Sequence, residues 1–273
     1  MYFIFCRIIT AIQYKMYFLD LLDSFKYYKK WVYLSYYDIY KRYRRSKLGQ
    51  IWITISTFVL TFSISLIYSK LFGLNFIDYL IFLVPSLCLW IFIKETIQDS
   101  LNVFYQNKSF FLNEKTNHLV MIFRILSRNV IIYLHNLIII IILNIFYSKD
   151  FSFLGLLIFL LNFILIMPFL FSVCLIGSIF VTRFRDLEII IGNFLQLLFF
   201  ITPILYKKTF LGSYSWIVDY NIFAIIINFI NGPLMLEFPN FVNYVTVLVM
   251  SVFFFTLSVI LYNYKKNRIN YWL

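Results

Sequence analysis

Apolar runs long enough to cross a bilayer alternate along this chain with short polar breaks. A hydrocarbon core of about 30 Å needs about 20 apolar residues in helix. Windows of that kind fall at Ile51–Phe72, Tyr79–Ile97, Arg128–Tyr147, Phe153–Val181, Ile189–Tyr206 and Phe241–Tyr262. The pattern predicts an all-α integral membrane protein with six transmembrane helices. Ahead of the first window, Phe18, Leu22, Phe25, Tyr28, Val32, Tyr36, Ile39 and Tyr43 recur at three- and four-residue steps, one face of a helix. Lys29 interrupts that face, and Trp31 and Leu34 lie off it. An amphipathic helix in the headgroup layer fits this spacing and its wealth of Tyr, Trp and Lys; ordinary packing against protein is the alternative. The polar connection from about Gln98 to Arg128 leaves room for a short surface helix. Between the last two windows the core IFAIIINFI is too short to cross and is closed by Asn231-Gly232-Pro233. It predicts short re-entrant or interfacial helices before the last span. The chain thus divides into an extension (1–16), an amphipathic helix (17–47), a six-span domain (48–264) and a basic tail (265–273).

Charge orients these elements. With the amino terminus in the cytosol, all of the 24 Lys and Arg fall in inside segments except Lys70, Lys149, Lys207 and Lys208. The positive-inside rule then places both termini in the cytosol. The densest run is KRYRRSKLGQIW, with Lys41, Arg42, Arg44, Arg45 and Lys47 at the edge of the first span. Each such cation costs about 2.5–3.5 kcal/mol at a helix centre. The run therefore stays among headgroups, where anionic lipid attracts each cation by about 1 kcal/mol. A nucleic-acid surface would be broader, so that reading is set aside.

Composition agrees: 62% of the 273 residues are hydrophobic and 13% charged, too few charges to coat a soluble domain. The three cysteines, Cys6, Cys88 and Cys174, match no metal pattern and read as small apolar side chains. The first residues carry Arg7 within a short apolar stretch and lack a cleavage site, unlike a secretory signal; Met16 is a second possible start. No glycine opens a Gly-Lys-Ser/Thr sequence, so no phosphate-cradling loop is expected. His118 and His135 have no partner at metal-ligand spacing, and Asp78, Asp150, Asp219 and Glu237 form no paired cluster. We expect neither a catalytic nor a metal site in this chain. Within the spans, Lys94 and Glu95 read as a local pair or interface anchor. His135, Asn136, Asn162, Asn193 and Gln196 read as bonds to neighbouring helices, or as groups facing a hydrated pore. Aromatic residues, 22% of the chain, face lipid, pack between helices or line a conduit that stacks sugars.

Four stretches in order carry a resemblance that covers nearly the whole chain from about Asp20. They are DIYKRYRRSKLGQIWITIS (Asp38–Ser56), SRNVIIYLHN (Ser127–Asn136), TRFRDLEIIIGNFLQLLFFITPILY (Thr182–Tyr206) and NYKKNRINYWL (Asn263–Leu273). The chain resembles the permease subunits of type-2 ABC exporters, closest to those that export O-antigen and related polysaccharides. It departs from their pattern at Asn221-Ile222, where such permeases usually continue with Pro, and at Asn231-Gly232-Pro233, where many carry Arg.

The resemblance implies a dimer of this chain with two P-loop ATPase subunits docked on the cytosolic side of the bacterial inner membrane. ATP and magnesium would sit on the partner, and no cofactor on this chain. A lipid-linked polysaccharide would pass at the dimer interface. The stretch Phe18–Tyr43 would be a cytosolic gate helix, with Arg42, Arg44, Arg45, Tyr36 and Tyr43 receiving the anionic headgroup; anchoring alone is the alternative for the arginines. Coupling to the ATPase would involve Asp99, Asn102, Tyr105, Asn107 and Lys108 of the inner connection. Arg183, Arg185 and Asp186 would join them or only fix the turn they occupy. Trp52, Trp90, Tyr133, Phe199, Phe200 and Tyr206 are channel-lining candidates, and the short helices within Lys207–Asn240 would form the outer gate. An exporter of teichoic acid, capsule or a small hydrophobic compound is the nearest alternative. A membrane glycosyltransferase or ligase on polyprenyl-linked sugars would need an acid or base cluster that the sequence lacks, and a channel or purely structural protein would not explain four ordered motifs.

Overall fold

The computed structural model describes residues 17, 19–114, 117–147 and 152–273. The extension 1–16, Phe18, Lys115 and the predicted outer turn at 148–151 with Lys149 and Asp150 lie outside them. Among the described residues the secondary structure is helical throughout, with no strand. After helical residues 19–26 and a break at Tyr27 come α1 (Tyr28–Tyr43), α2 (Ile51–Leu71), α3 (Phe76–Leu101), the short α4 (Val103–Gln106) and α5 (Lys108–Glu114), and α6 (His118–Tyr147). Then follow α7 (Phe153–Leu165), α8 (Met167–Arg183), α9 (Leu187–Ile201), α10 (Trp216–Asp219), α11 (Ile222–Asn231) and α12 (Phe241–Trp272). Two 3-10 turns, Lys208–Tyr214 and Gly232–Met235, flank α10 and α11.

Five stretches are long and apolar enough to cross a membrane: α2, α3, α6, the continuous pair α7–α8, and α12. This is a multi-pass, all-helical chain. At the centre stands α3, whose Leu83, Val84, Cys88, Leu89 and Ile93 are sealed by α6 and α8. Polarity is inverted on α2: it buries Ile53, Thr57, Thr61, Ser65 and Ser69 and turns Phe58, Val59, Leu66 and Ile67 outward. Lipid solvates apolar side chains as well as a core does, so small residues take the helix contacts. Thr57 and Thr61 satisfy their hydroxyls on backbone carbonyls of their own helix, Ile53 and Thr57, at 3.0 and 2.9 Å. The break at Ile166 between α7 and α8 follows from Pro168, which has no N–H and crowds the carbonyl four residues back.

The sixth apolar window forms a shorter element than its sequence predicts. Helix α9 has 15 residues and stops at Thr202, which is extended at ψ 136° because Pro203 disfavours helix in the residue before it. The chain still runs from one end of the bundle to the other here. Arg185, just before α9, lies over Tyr105, while the Leu205 carbonyl accepts the Tyr79 hydroxyl at 2.6 Å at the opposite end. At that opposite end α11 is 10 residues long, about 15 Å, and too short to cross. Its side chains Ala224, Ile226, Ile227, Phe229 and Ile230 are buried against α7 and α3. Asn221 caps it, accepting from the Phe223 and Ala224 amides at 2.9 and 3.4 Å and donating to the Thr202 hydroxyl at 2.9 Å. Asn221→Ala is expected to cost about 1 kcal/mol, the worth of an N-cap, read as a lower unfolding midpoint in detergent.

One sequence expectation is corrected. The connection expected from Gln98 to Arg128 is largely helical: α3 continues to Leu101 and α6 begins at His118. Arg124 and Arg128 depress the local hydropathy, but both are ion-paired to acids on other helices. The amphipathic segment is helical, and Leu22, Phe25, Tyr28, Val32 and Tyr36 of its apolar face are exposed. The side packed on α6 carries Ser35 and Ile39, with Trp31 stacked on Phe123. Hydroxyl and carboxylate, from Ser35 and Asp38, meet α6 beside that ring.

Candidate functional site

The most polar part of the described chain is the end of the bundle where α1, α3, α6, α8 and α12 meet. On α6, Arg124 and Arg128 stand one turn apart and face one direction. Arg124 forks onto Asp38 of α1, its Nε and Nη2 donating to the two carboxylate oxygens at 2.8 and 2.7 Å. Its Nη1 donates to Asn107 Oδ1 at 3.0 Å. Arg128 pairs with Asp99 near the end of α3 and approaches Asp38 at 3.9 Å. Asn129 also donates to Asp99, at 3.2 Å. Two carboxylates and two guanidiniums thus tie three helices together, and bidentate geometry makes the Arg124 pair directional as well as strong. The Ser35 hydroxyl lies 2.7 Å from the Arg124 carbonyl, so α1 is stitched by backbone as well.

A polar cavity of about 400 Å³ opens beside this network. Gln98, Asn102, Gln106 and Glu188 line it together with the ion-paired residues. Glu188 comes from the first turn of α9, where an acid suits the helix dipole. Rings hold the α8–α9 turn in place. The Arg185 guanidinium sits 4.3 Å from the centroid of Tyr105, and Arg183 lies over Phe184 and Trp272 at 4.9 and 5.5 Å. Lys108 reaches the Leu273 carbonyl. Nearby, Asp20 takes Lys266 and the Tyr262 hydroxyl, Asn117 also bonds Tyr262 at 3.1 Å, and His118 pairs with Asn270 at 3.0 Å. Both ends of the described chain therefore meet at this end of the bundle. Tyr17 packs edge-on to Tyr262, and burial pushes its phenol up to about 12, so it stays protonated.

Every coupling candidate lies at this end. Asp99, Asn102 and Asn107 line the cavity, while Tyr105, Lys108, Arg183 and Arg185 form the contacts above. Asp186 stands at the N-cap of α9 without a side-chain capping bond, and its carbonyl accepts the Ile190 amide at 3.3 Å. Compared with models of known protein families and with curated proteins, the chain matches none.

The headgroup candidates divide. Arg42, Arg44, Arg45 and Tyr36 are exposed, and the three arginines make no ion pair with the described residues. Tyr43 is half-buried and joins Arg42 on the wall of a second cavity. Of the channel candidates, Trp52 and Phe200 are exposed and Phe199 is half-buried. Tyr206 is half-buried, its hydroxyl donating to the Ile201 carbonyl at 2.8 Å. Trp90 is buried against Phe199 and Phe223, and Tyr133 is stacked on Phe163 and tilted against Phe92, so both sit inside the bundle. Asn162 does bond a neighbouring helix, donating to Phe229 O at 2.7 Å, whereas Asn193 and Gln196 are exposed on α9. Lys94 and Glu95 do not pair. Sequence reasoning missed Asp38, Arg124, Arg128 and Glu188 as site residues. The usable signal was Arg124 and Arg128 at i,i+4 beside a long apolar run.

The site holds donors and acceptors in fixed positions but no nucleophile–base pair, and no metal-binding cluster is present among the described residues.

Proposed function

We propose that this chain is the permease subunit of a type-2 ABC exporter that moves a lipid-linked, O-antigen-like polysaccharide out of the cytosol. The observation that carries the reading is the convergence, around one polar cavity, of two segments far apart in sequence, 99–108 and 183–188. A connection after α3 and a turn after α8 that present one surface suit docking of an ATPase subunit at each copy. In this reading that end is cytosolic, both termini lie there, and residues Leu187–Leu205 make the sixth crossing in the inner membrane. Helix α1 lies at the same face with Tyr27, Tyr28, Tyr33, Tyr36, Tyr37 and Tyr40 exposed, as suits a gate helix in the headgroups. Exposed amides at Asn193 and Gln196 on an otherwise apolar helix favour a second copy and a hydrated path beside α9. The short helices opposite, α10 and α11, would be the outer gate.

Copurification with a P-loop ATPase from the same genome tests the reading. Asn102→Trp, which fills the cavity, is expected to reduce the recovered ATPase tenfold or more, about 1.4 kcal/mol. Undiminished ATPase recovery would remove the docking role. Surface polysaccharide should disappear on deletion of the gene; unchanged polysaccharide with lost drug efflux would overturn the substrate class.

A further inference from the structure

One turn deeper than Asp99, α3 carries Glu95, exposed on the wall of a cavity of about 180 Å³. Arg42 and Tyr43 from the end of α1, Ser56 and Thr57 from α2, and Asn129, Tyr133 and Asn136 from α6 complete the polar lining. Two features set this cavity apart. A cation and an anion share it, Arg42 and Glu95, yet neither makes an ion pair with the described residues. Finally, Asn129 on the same wall donates to Asp99, so the cavity touches the ion-paired layer at the polar end of the apolar bundle.

We infer that this cavity binds the headgroup of an aminophospholipid, phosphate on Arg42 and primary ammonium on Glu95. The occupant must carry both charges. A guanidinium takes phosphate oxygens by charge-assisted bonds. A primary ammonium offers three N–H donors to the Glu95 carboxylate. An anionic lipid without an amine, such as phosphatidylglycerol, brings no cation to Glu95, and neither does a pyrophosphate-linked carrier. A trimethylated ammonium has no N–H to donate. The inference does not depend on what the chain transports.

Native mass spectrometry of the delipidated full chain in detergent tests it, with dioleoyl-phosphatidylethanolamine, its mono-, di- and trimethylated forms, and dioleoyl-phosphatidylglycerol. Wild-type protein is expected to bind the ethanolamine lipid about tenfold more tightly than the choline lipid, with affinity falling stepwise along the methylation series. Glu95→Gln should level the series, and Arg42→Gln should weaken every member alike. A flat series in the wild type overturns the inference, and so does an ethanolamine preference that survives Glu95→Gln. Should Glu95→Gln not fold, the wild-type series still decides. Soluble O-phosphoethanolamine is expected not to displace the lipid; displacement at equal concentration would reject a lipid occupant.

Discussion

Arg124→Ala is expected to lower the stability of the detergent-solubilised protein by about 3 kcal/mol, as breaking a poorly hydrated ion pair on one side does. The substitution removes the fork to Asp38 and the bond to Asn107 together. Asp38 would keep only Arg128, 3.9 Å away and already committed to Asp99. With side chains 18% exposed on each partner, water cannot restore what the pair supplied. Asp38→Asn should cost less alone, and the double variant should cost less than the two single variants combined, because neither charge is then stranded. Lys26→Ala is the matched control: its pair with Asp23 is 76% and 53% exposed and should change stability by less than about 0.5 kcal/mol. Equal effects at Arg124 and Lys26 would show that the network holds nothing together. Limited proteolysis adds a local readout, since α1 depends on Asp38 and Ser35 for its seat and should become cleavable first.

Some of this fold was legible in the chain and some was not, for physical reasons. The apolar runs of α2, α7–α8 and α12 stood out because a bilayer demands length and hydropathy whatever the neighbours. The first ten residues of α6 did not, because Arg124 and Arg128 count as costly until Asp38 and Asp99, distant in sequence, neutralise them. The helical spacing before the first span predicted a helix correctly and left open which side packs on protein. Rings at three- and four-residue steps mark an apolar face, and in a membrane protein that face need not meet protein. Only the partner surface of α6 decides, and it selected Ser35 and Asp38. For the candidate site, the two segments were readable as polar breaks between apolar runs; that they share one cavity with Glu188 is a property of the packed helices alone.

Asn162→Leu is expected to cost about 2 kcal/mol and to loosen α11 specifically. Helix α11 ends at Asn231, and the residue four places beyond Phe229 is Pro233, which has no N–H to give the Phe229 carbonyl. Asn162 supplies the missing donor at 2.7 Å from the middle of α7. Leucine is close in size but leaves that buried carbonyl unmet, a loss of about 1–3 kcal/mol. Helix α7 also touches the turn that follows α11, at Gly155, where an added Cβ would stand 2.3 Å from the Pro233 carbonyl oxygen. Gly155→Ala must therefore push the Gly232–Met235 turn away from α7, and about 1–3 kcal/mol is the usual cost of such overpacking. Hydrogen exchange separates these local effects from general destabilisation. Amides of 222–235 should lose protection in both variants while α3 and α6 keep theirs. Uniform loss across the bundle would mean that α7 and α11 are not a separable unit. If α11 also gates the outer side, the two variants should leak small solutes in proteoliposomes at temperatures where the wild type is tight.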